Sequence, residues 1–555
     1  MTSTSADPAA AVESAPALQG YLAIPELIRR SGTGVVFSML GETNVPWIAA
    51  GADSGAFRFV RTRHEATSVS AAAGFSRTTG AVGIASVTRG PGFANAVNAL
   101  KAATHDHVPL LLIVAESPAT RIKISPFYQN LDQRGITAAL GAGFHHVANG
   151  SQLEETFWAA YRGARWNGLP QVLSVADGVI DDPVRLGPTP ELEREAELPD
   201  PESVTAIVDV LEGARRPLVL AGQGAVHADC RAELEQLADL IGARVASTLN
   251  VNRYFSGHPH NLGVCGHSSP TLVADLISQS DVVVAVGASL NPYTTGKESL
   301  FTSATIVQVE IDVDQPFHAS RAELGLLSDA REGVRALIAE WRRRGLSPRP
   351  VEGTTPSRAQ IAASVADVDL GHDADRGIDL RRAFAVLDAR LPADRIVISD
   401  SGRWSGTLPT FLDARDGRSW VISRGYGSIG LGLGNAIGAA AGNPDRPVVL
   451  FCGDGGFMMS SHDVDAIRLN DLDLTVFIVN DEAYGAEVPY LTPYGLPADV
   501  ARQNLPDMVA YAQAFGARGV VVRTLDELEA LELSPRGLSI VDIRIDPLVN
   551  GRAAL

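Results

Sequence analysis

At 555 residues the chain is long enough for about three or four domains of ordinary size. Its 45% hydrophobic and 20% charged content belongs to a globular protein with a full core and excludes a disordered one. The 46 basic against 64 acidic residues leave a formal charge of −18, which excludes the basic footprint of a nucleic-acid or anionic-membrane binder, and three scattered cysteines exclude a disulfide framework or zinc site.

The first twenty residues lack a basic start and a signal-like apolar run. They read as a loose tail, and a cytoplasmic location is expected. No apolar run approaches the ~20 residues of a membrane-spanning helix. A strand over Gly34–Met39 leads into a loop carrying Glu42. The segment Arg61–Arg77, RTRHEATSVSAAAGFSR, predicts a small-residue helix with one acid, Glu65, at its start. Taken alone, such an acid complements the helix dipole. A strand over Val82–Val87 precedes Thr88–Asn98, TRGPGFANAVN, which reads as a structural Gly-Pro-Gly turn and a helix. The strand Pro109–Ala115 precedes PFYQNLDQ, which contains Tyr128 and Gln129. His105-Asp106-His107 and His145-His146 offer metal-binding pairs without an identifiable third ligand. The Pro- and Glu-rich stretch Leu186–Val204 reads as a surface linker.

Strands over Pro217–Ala221, Val282–Val286 and Ile306–Ile311 form a middle block. Its Gly222-Gln223-Gly224 reads as a strand-to-helix turn rather than a nucleotide loop. A second linker, Arg343–Asp379, leads to the strand Ile396–Ser399 and then Asp400-Ser401-Gly402-Arg403-Trp404. A Gly-rich segment follows over Arg424–Ala440. The strand Pro447–Phe451 then ends in Gly453-Asp454-Gly455-Gly456, and the strand Leu474–Val479 ends in Asn480-Asp481. Buried-length strands alternating with helices predict an α/β protein of three doubly wound parallel-sheet domains, over 18–185, 200–342 and 376–550. The first and third are able to share a fold without sharing visible sequence. Both polar tips of the last block sit at carboxyl ends of strands, where open sheets bind ligands. Glycines there let the backbone approach a phosphate, and Asp454 and Asp481 are hard oxygen ligands suited to Mg²⁺ or Ca²⁺ on a diphosphate.

Over nearly its whole length the chain resembles the thiamine diphosphate (ThDP)-dependent enzymes, the relatives of acetolactate synthase, pyruvate decarboxylase and 2-hydroxyacyl-CoA lyase. The resemblance rests on the Gly-Asp-Gly and Asn-Asp tips, the Gly-rich segment and the His-Glu-Ala start of the small-residue helix. It implies a pyrimidine-binding, a central noncatalytic and a diphosphate-binding domain, with ThDP and Mg²⁺ as cofactors. Asp454, Asp481 and the Ala483 carbonyl would hold the metal, with Asp481 standing where the family usually has Asn. Gly402, Arg403, Gly453, Gly455 and Gly456 would border the diphosphate. Ile429 would bend the cofactor, and the Gly427 carbonyl would meet its aminopyrimidine. Glu65 would bond the pyrimidine ring and so promote formation of the C2 ylid, with His64 as its support. The resemblance also implies a homodimer or homotetramer, with sites between the first domain of one subunit and the third of another, and a small-molecule substrate; the acidic charge and the lack of a long apolar run point to no nucleic-acid or membrane partner.

Three positions bear on the reaction. Glu42 aligns with an active-site acid of the decarboxylases. Glu487, six residues after Asp481, aligns with a proton-shuttling Glu of decarboxylases and lyases. Gln129, after Tyr128, matches an amide of acetolactate synthases and lyases. Carboxylates beside a carbanion protonate it or take the proton of a cleaved hydroxyl. The expectation is a ThDP- and Mg²⁺-dependent carbon–carbon lyase acting on a small 2-oxo acid or 2-hydroxyacyl compound. The alternatives are an acetolactate synthase-type carboligase and a non-enzymatic paralogue kept for binding or regulation.

Overall fold

The computed structural model describes residues 16–117, 129–311, 322–534 and 536–549; most of the expected N-terminal tail, and Tyr128, lie outside them. The described chain builds three six-stranded sheets. The first contains β1 (Val35–Ser38), β2 (Arg58–Arg61), β3 (Gly83–Val87), β4 (Leu110–Glu116), β5 (Gly143–Val147) and β6 (Gln171–Ala176), in the order β2-β1-β3-β4-β6-β5. The second contains β7 (Pro217–Ala221), β8 (Arg244–Ser247), β9 (Asn261–Val264), β10 (Val282–Val286), β11 (Thr305–Glu310) and β12 (Ala322–Leu327), in the order β9-β8-β7-β10-β11-β12. The third contains β13 (Ile396–Ser399), β14 (Trp420–Ile422), β15 (Val448–Gly453), β16 (Leu474–Asn480), β17 (Arg518–Val522) and β18 (Leu538–Arg544), in the order β14-β13-β15-β16-β18-β17.

Every pairing within these sheets is parallel. Their central strands are buried on both faces, so they read as unbroken apolar runs rather than as alternation. The first and third sheets have the same strand order, so the two domains share a topology. A separate antiparallel pair, Leu18–Gln19 with Pro183–Val184, ties the start of the first domain to its end. No described helix is long and apolar enough to cross a membrane.

Two elements differ from the sequence expectation. The helix expected from Arg61 starts only at Glu65, because Arg58–Arg61 pairs with β1 as an edge strand. This helix, α1 (Glu65–Thr79), is capped by the His64 ring, whose Nδ1 accepts from the Ala66 N–H at 3.1 Å. The linker around 343–379 folds one α-helix, Arg358–Ala366, and a short 3₁₀ turn, Ala374–Arg376. A Ser357/Gln360 capping box starts the α-helix, and Ile361 and Val365 are buried.

The first and third domains share one core. In it α1 packs against a Gly- and Ala-rich helix, Gly432–Gly442. A Cβ on Gly74 would lie 2.1 Å from the Asn435 carbonyl oxygen, and one on Gly438 would lie 1.8 Å from that of Ala71. The two backbones therefore touch where only glycine fits, which explains the small-residue composition of both segments.

Candidate active site

Open parallel sheets bind ligands where the strand order reverses, outside the carboxyl ends of the strands. In the first domain that point lies between β1 and β3. The loop after β1 carries Glu42. It is seated on Thr88, at the end of β3: a Cβ on Gly41 would meet Thr88 at 2.9 Å, and the Thr43 and Thr88 hydroxyls are 3.0 Å apart. Between these anchors the Glu42 side chain is 77% exposed and lies 3.8 Å from Arg89. Arg89 is buried, donates from Nε to the Gln129 Oε1 at 3.0 Å and is in contact with Asp177. The turn Gly90-Pro91-Gly92 does more than reverse the chain. Gly90 has φ +60, with the Gln129 carbonyl packed on it, and a Cβ on Gly92 would stand 3.4 Å from the Glu65 carboxylate.

Glu65 is buried at the first position of α1. Its Oε2 accepts from the Asn95 side-chain amide at 3.0 Å. Asn95 lies on α2 (Pro91–His105), and one turn further on Asn98 donates to the Ser428 Oγ at 2.8 Å. Residues three apart share a helix face. One face of α2 therefore holds the first-domain carboxylate and, from the third domain, the residue between Gly427 and Ile429. Sequence reading passed over Asn95 and Asn98. Their only signal is an Asn pair at helical spacing behind the Gly-Pro-Gly turn. Gly427 is exposed with φ +77, and Ile429 is half-buried.

In the third domain the strand order reverses between β13 and β15. The loops after these strands carry Asp400–Arg403 and Asp454–Gly456, and Gly402 and Gly453 both lie against the Trp404 indole nitrogen. Asp400, not singled out from sequence, is buried and accepts from the N–H groups of Ser401 and Gly430, both at 2.8 Å. Burial raises its carboxyl to about 6 against those donors. It thereby holds the Gly-rich segment to the first loop.

Asp454 is buried. Its Oδ1 accepts from the Gly455 N–H at 2.9 Å, while its Oδ2 has no hydrogen-bond partner. Burial, and then the neighbouring Asp481, push its carboxyl up to about 7. Burial also raises Asp481, against an Arg403 guanidinium 3.7 Å away. Ala483 sits opposite Arg502 in a short antiparallel bridge whose bonds are made by residues 482 and 484. Its own N–H and C=O therefore point away from that bridge.

An orphaned buried carboxylate oxygen beside a second, half-buried carboxylate leaves negative charge that a divalent cation would neutralise, so these residues fit Mg²⁺. Among the described residues no cluster of three or more His, Cys, Asp or Glu side chains is gathered for a metal, so two carboxylates and a carbonyl would need oxygens from the cofactor. ThDP affinity is expected to fall about 100-fold or more in excess chelator, since the unscreened carboxylates then face the diphosphate. Titration calorimetry with and without Mg²⁺ measures this, and equal affinities would remove the metal from Asp454 and Asp481.

Glu487 is exposed, directly before the helix Val488–Leu491, and its N–H donates to the Tyr484 carbonyl at 2.9 Å. The Tyr484 ring covers Gly455, where a Cβ would meet it at 2.4 Å. No described side-chain contact joins Glu487 to Glu42, Gln129 or Glu65. His105-Asp106-His107 gathers no metal set, and Asp106 faces the buried Arg77 at 3.5 Å. In the middle domain, Gly222 and Gly224 pack on Gly287, as a structural turn requires. They also line a 710 Å³ cavity that reaches Gly425–Gly427.

The sequence matches three descriptions in turn: thiamine pyrophosphate enzyme, N-terminal TPP binding domain, over 19–136; central domain, over 204–337; and C-terminal TPP binding domain, over 400–535. It is 26% identical to a probable acetolactate synthase large subunit of Methanocaldococcus jannaschii, over 96% of this chain and 92% of that protein. It is 28% identical to a sulfoacetaldehyde acetyltransferase of Rhodobacter capsulatus, over 92% and 90% of the two chains. It is also 28% identical to a probable 2-ketoarginine decarboxylase of Pseudomonas aeruginosa, over 94% and 93%.

Proposed function

The chain belongs to the thiamine diphosphate (thiamine pyrophosphate) enzymes, and we propose that within this family it is a Mg²⁺-dependent carbon–carbon lyase for a small 2-oxo acid or 2-hydroxyacyl compound. The observation that carries the reading is the unpartnered Oδ2 of the buried Asp454 beside Asp481 at the third-domain strand ends, with Glu65 buried at the start of α1. The first pair would face a metal-bound diphosphate, and Glu65 would meet an aminopyrimidine from across the subunit interface. Family membership sets aside the non-enzymatic paralogue.

When bound, ThDP supplies carbanion chemistry at its C2 carbon. Glu65 would hold a proton at the pyrimidine ring nitrogen, and the Gly427 carbonyl would accept from its amino group. Ile429 would fix the bend between the rings. Asp454, Asp481 and Ala483 would hold Mg²⁺ against the diphosphate. Glu42 and Glu487 are the proton donors or acceptors on the substrate side, and Gln129 orients a substrate oxygen. These acids favour release of a protonated product over transfer to a second keto acid.

The acetolactate synthase-type reading stands second, supported by Gln129 and by a relative of that name. The exposed apolar side chains Tyr490, Tyr494, Leu496 and Val500 beside the third-domain loops support a homo-oligomer. The three free buried thiols fit a reducing, cytoplasmic setting.

The test is a product screen of cofactor-loaded protein against pyruvate, longer 2-oxo acids, aldehydes and 2-hydroxyacyl-CoA thioesters. An aldehyde or acyl fragment with a proton at the former reacting carbon is expected. A condensation product of two 2-oxo acids as the main outcome would give the second reading precedence.

A further inference from the structure

Arg89 lies two residues beyond β3, between two residues read as substrate-facing, Glu42 and Gln129, and is itself given no role by sequence. It is 4% exposed. A guanidinium has five N–H donors and no acceptor. The atom 3.0 Å from its Nε is therefore the Gln129 carbonyl oxygen, and the NH₂ of that amide is turned the other way. A glutamine amide has no preferred sense of its own; a donor-only partner imposes one. Asp177 engages the Nη1 of the guanidinium, and Glu42 faces its Nη2. Gly90, the next residue, has the Gln129 backbone against its Cα, so the arginine and the glutamine are also held together through the main chain.

We propose that Arg89 is a positioning residue that makes Gln129 a hydrogen-bond donor toward a substrate oxygen. The inference rests on the reading of Gln129 and Glu42 as substrate-side groups, but its core, the imposed amide sense, is testable without substrate. A carboxylate or carbonyl oxygen of the substrate is the chemistry such a donor recognises. A substrate presenting only a donor at that point would be rejected, because two N–H groups would then face each other unpaired.

The experiment uses the full-length protein and the variants Arg89→Met, Gln129→Glu, Gln129→Ala and their combinations. The first readout is the thermal midpoint. Gln129→Glu is expected to raise it when Arg89 is present, since a charge-assisted pair replaces a neutral bond. In the Arg89→Met background the same substitution is expected to lower it, because the new carboxylate then lies close to Asp177 and Glu42 without a cation. A midpoint change of the same sign in both backgrounds overturns the assignment. If Arg89→Met misfolds by leaving Asp177 unpaired, Arg89→Met/Asp177→Asn serves as the background.

The second readout is kinetic, on the cofactor-loaded protein with the substrate from the product screen. Arg89→Met should lower kcat/KM by about 10- to 100-fold when Gln129 is present and by less than about twofold in Gln129→Ala. C2 proton exchange should stay unchanged in every variant. Equal losses in both backgrounds would make Arg89 an independent contact rather than a positioning residue. If nothing in the screen turns over, the lyase reading fails, while the sign reversal in thermal midpoint still decides this inference.

Discussion

Glu65→Gln is expected to leave the protein folded and cofactor-binding intact while slowing C2 proton exchange of bound ThDP by about three orders of magnitude. The substitution is isosteric. The Asn95 amide that now donates to Oε2 still finds the oxygen of a glutamine, so the buried site keeps its hydrogen bond. The charge is lost. A neutral amide does not stabilise a protonated ring nitrogen as a carboxylate does, and that stabilisation is the contribution assigned to Glu65. The measurement is hydrogen–deuterium exchange at C2 of the bound cofactor, with calorimetry for affinity and circular dichroism for the fold. An exchange rate equal to that of the unmodified protein would take Glu65 out of the mechanism.

For Glu487→Gln the expected result is a loss at a different step. Turnover should fall by about 10²–10⁴-fold, the range for a general acid or base, while cofactor affinity and C2 exchange stay normal. The position supports this separation. Glu487 is exposed and follows the Asp481 loop, and its N–H is tied to Tyr484, whose ring covers Gly455. It therefore sits on the frame of the Asp454–Gly456 turn without touching Glu65. Single-turnover kinetics with the native substrate distinguish a slow protonation from slow product release. Wild-type turnover in Glu487→Gln would strip the lyase reading of its main support. The carboligase reading, which needs no acid at this position, would then move ahead.

The contrast between Glu65 and Arg89 shows what was legible in the sequence and why. Glu65 stands in a local pattern, a lone acid opening a small-residue helix, and the same holds for Asp454 in its glycine turn. Arg89 has no such pattern. Its partners are Gln129, forty residues on, and Asp177, eighty-eight residues on, and only the parallel order of β3, β4 and β6 brings their carboxyl ends together. Asn95 and Asn98 were likewise silent, because the groups they bond, Glu65 and Ser428, come from two different domains.

The amino-acid sequence alone determined the α/β class, the three-sheet division, the Gly-rich turns and the acids at strand ends. Each of these follows from short-range rules: apolar runs of strand length, helical spacing, and glycine where the backbone must approach a neighbour closely. The tertiary structure decided the rest. It established that the first and third sheets share one strand order. It also put a helix into a segment read as linker, and placed an orphaned oxygen of Asp454 beside Asp481. The physical reason is the range of the interactions. Strand order, the meeting of α1 with the Gly432–Gly442 helix, and the polarity imposed on the Gln129 amide all depend on contacts between residues far apart in the chain. Local composition constrains such contacts only through the space it leaves for them.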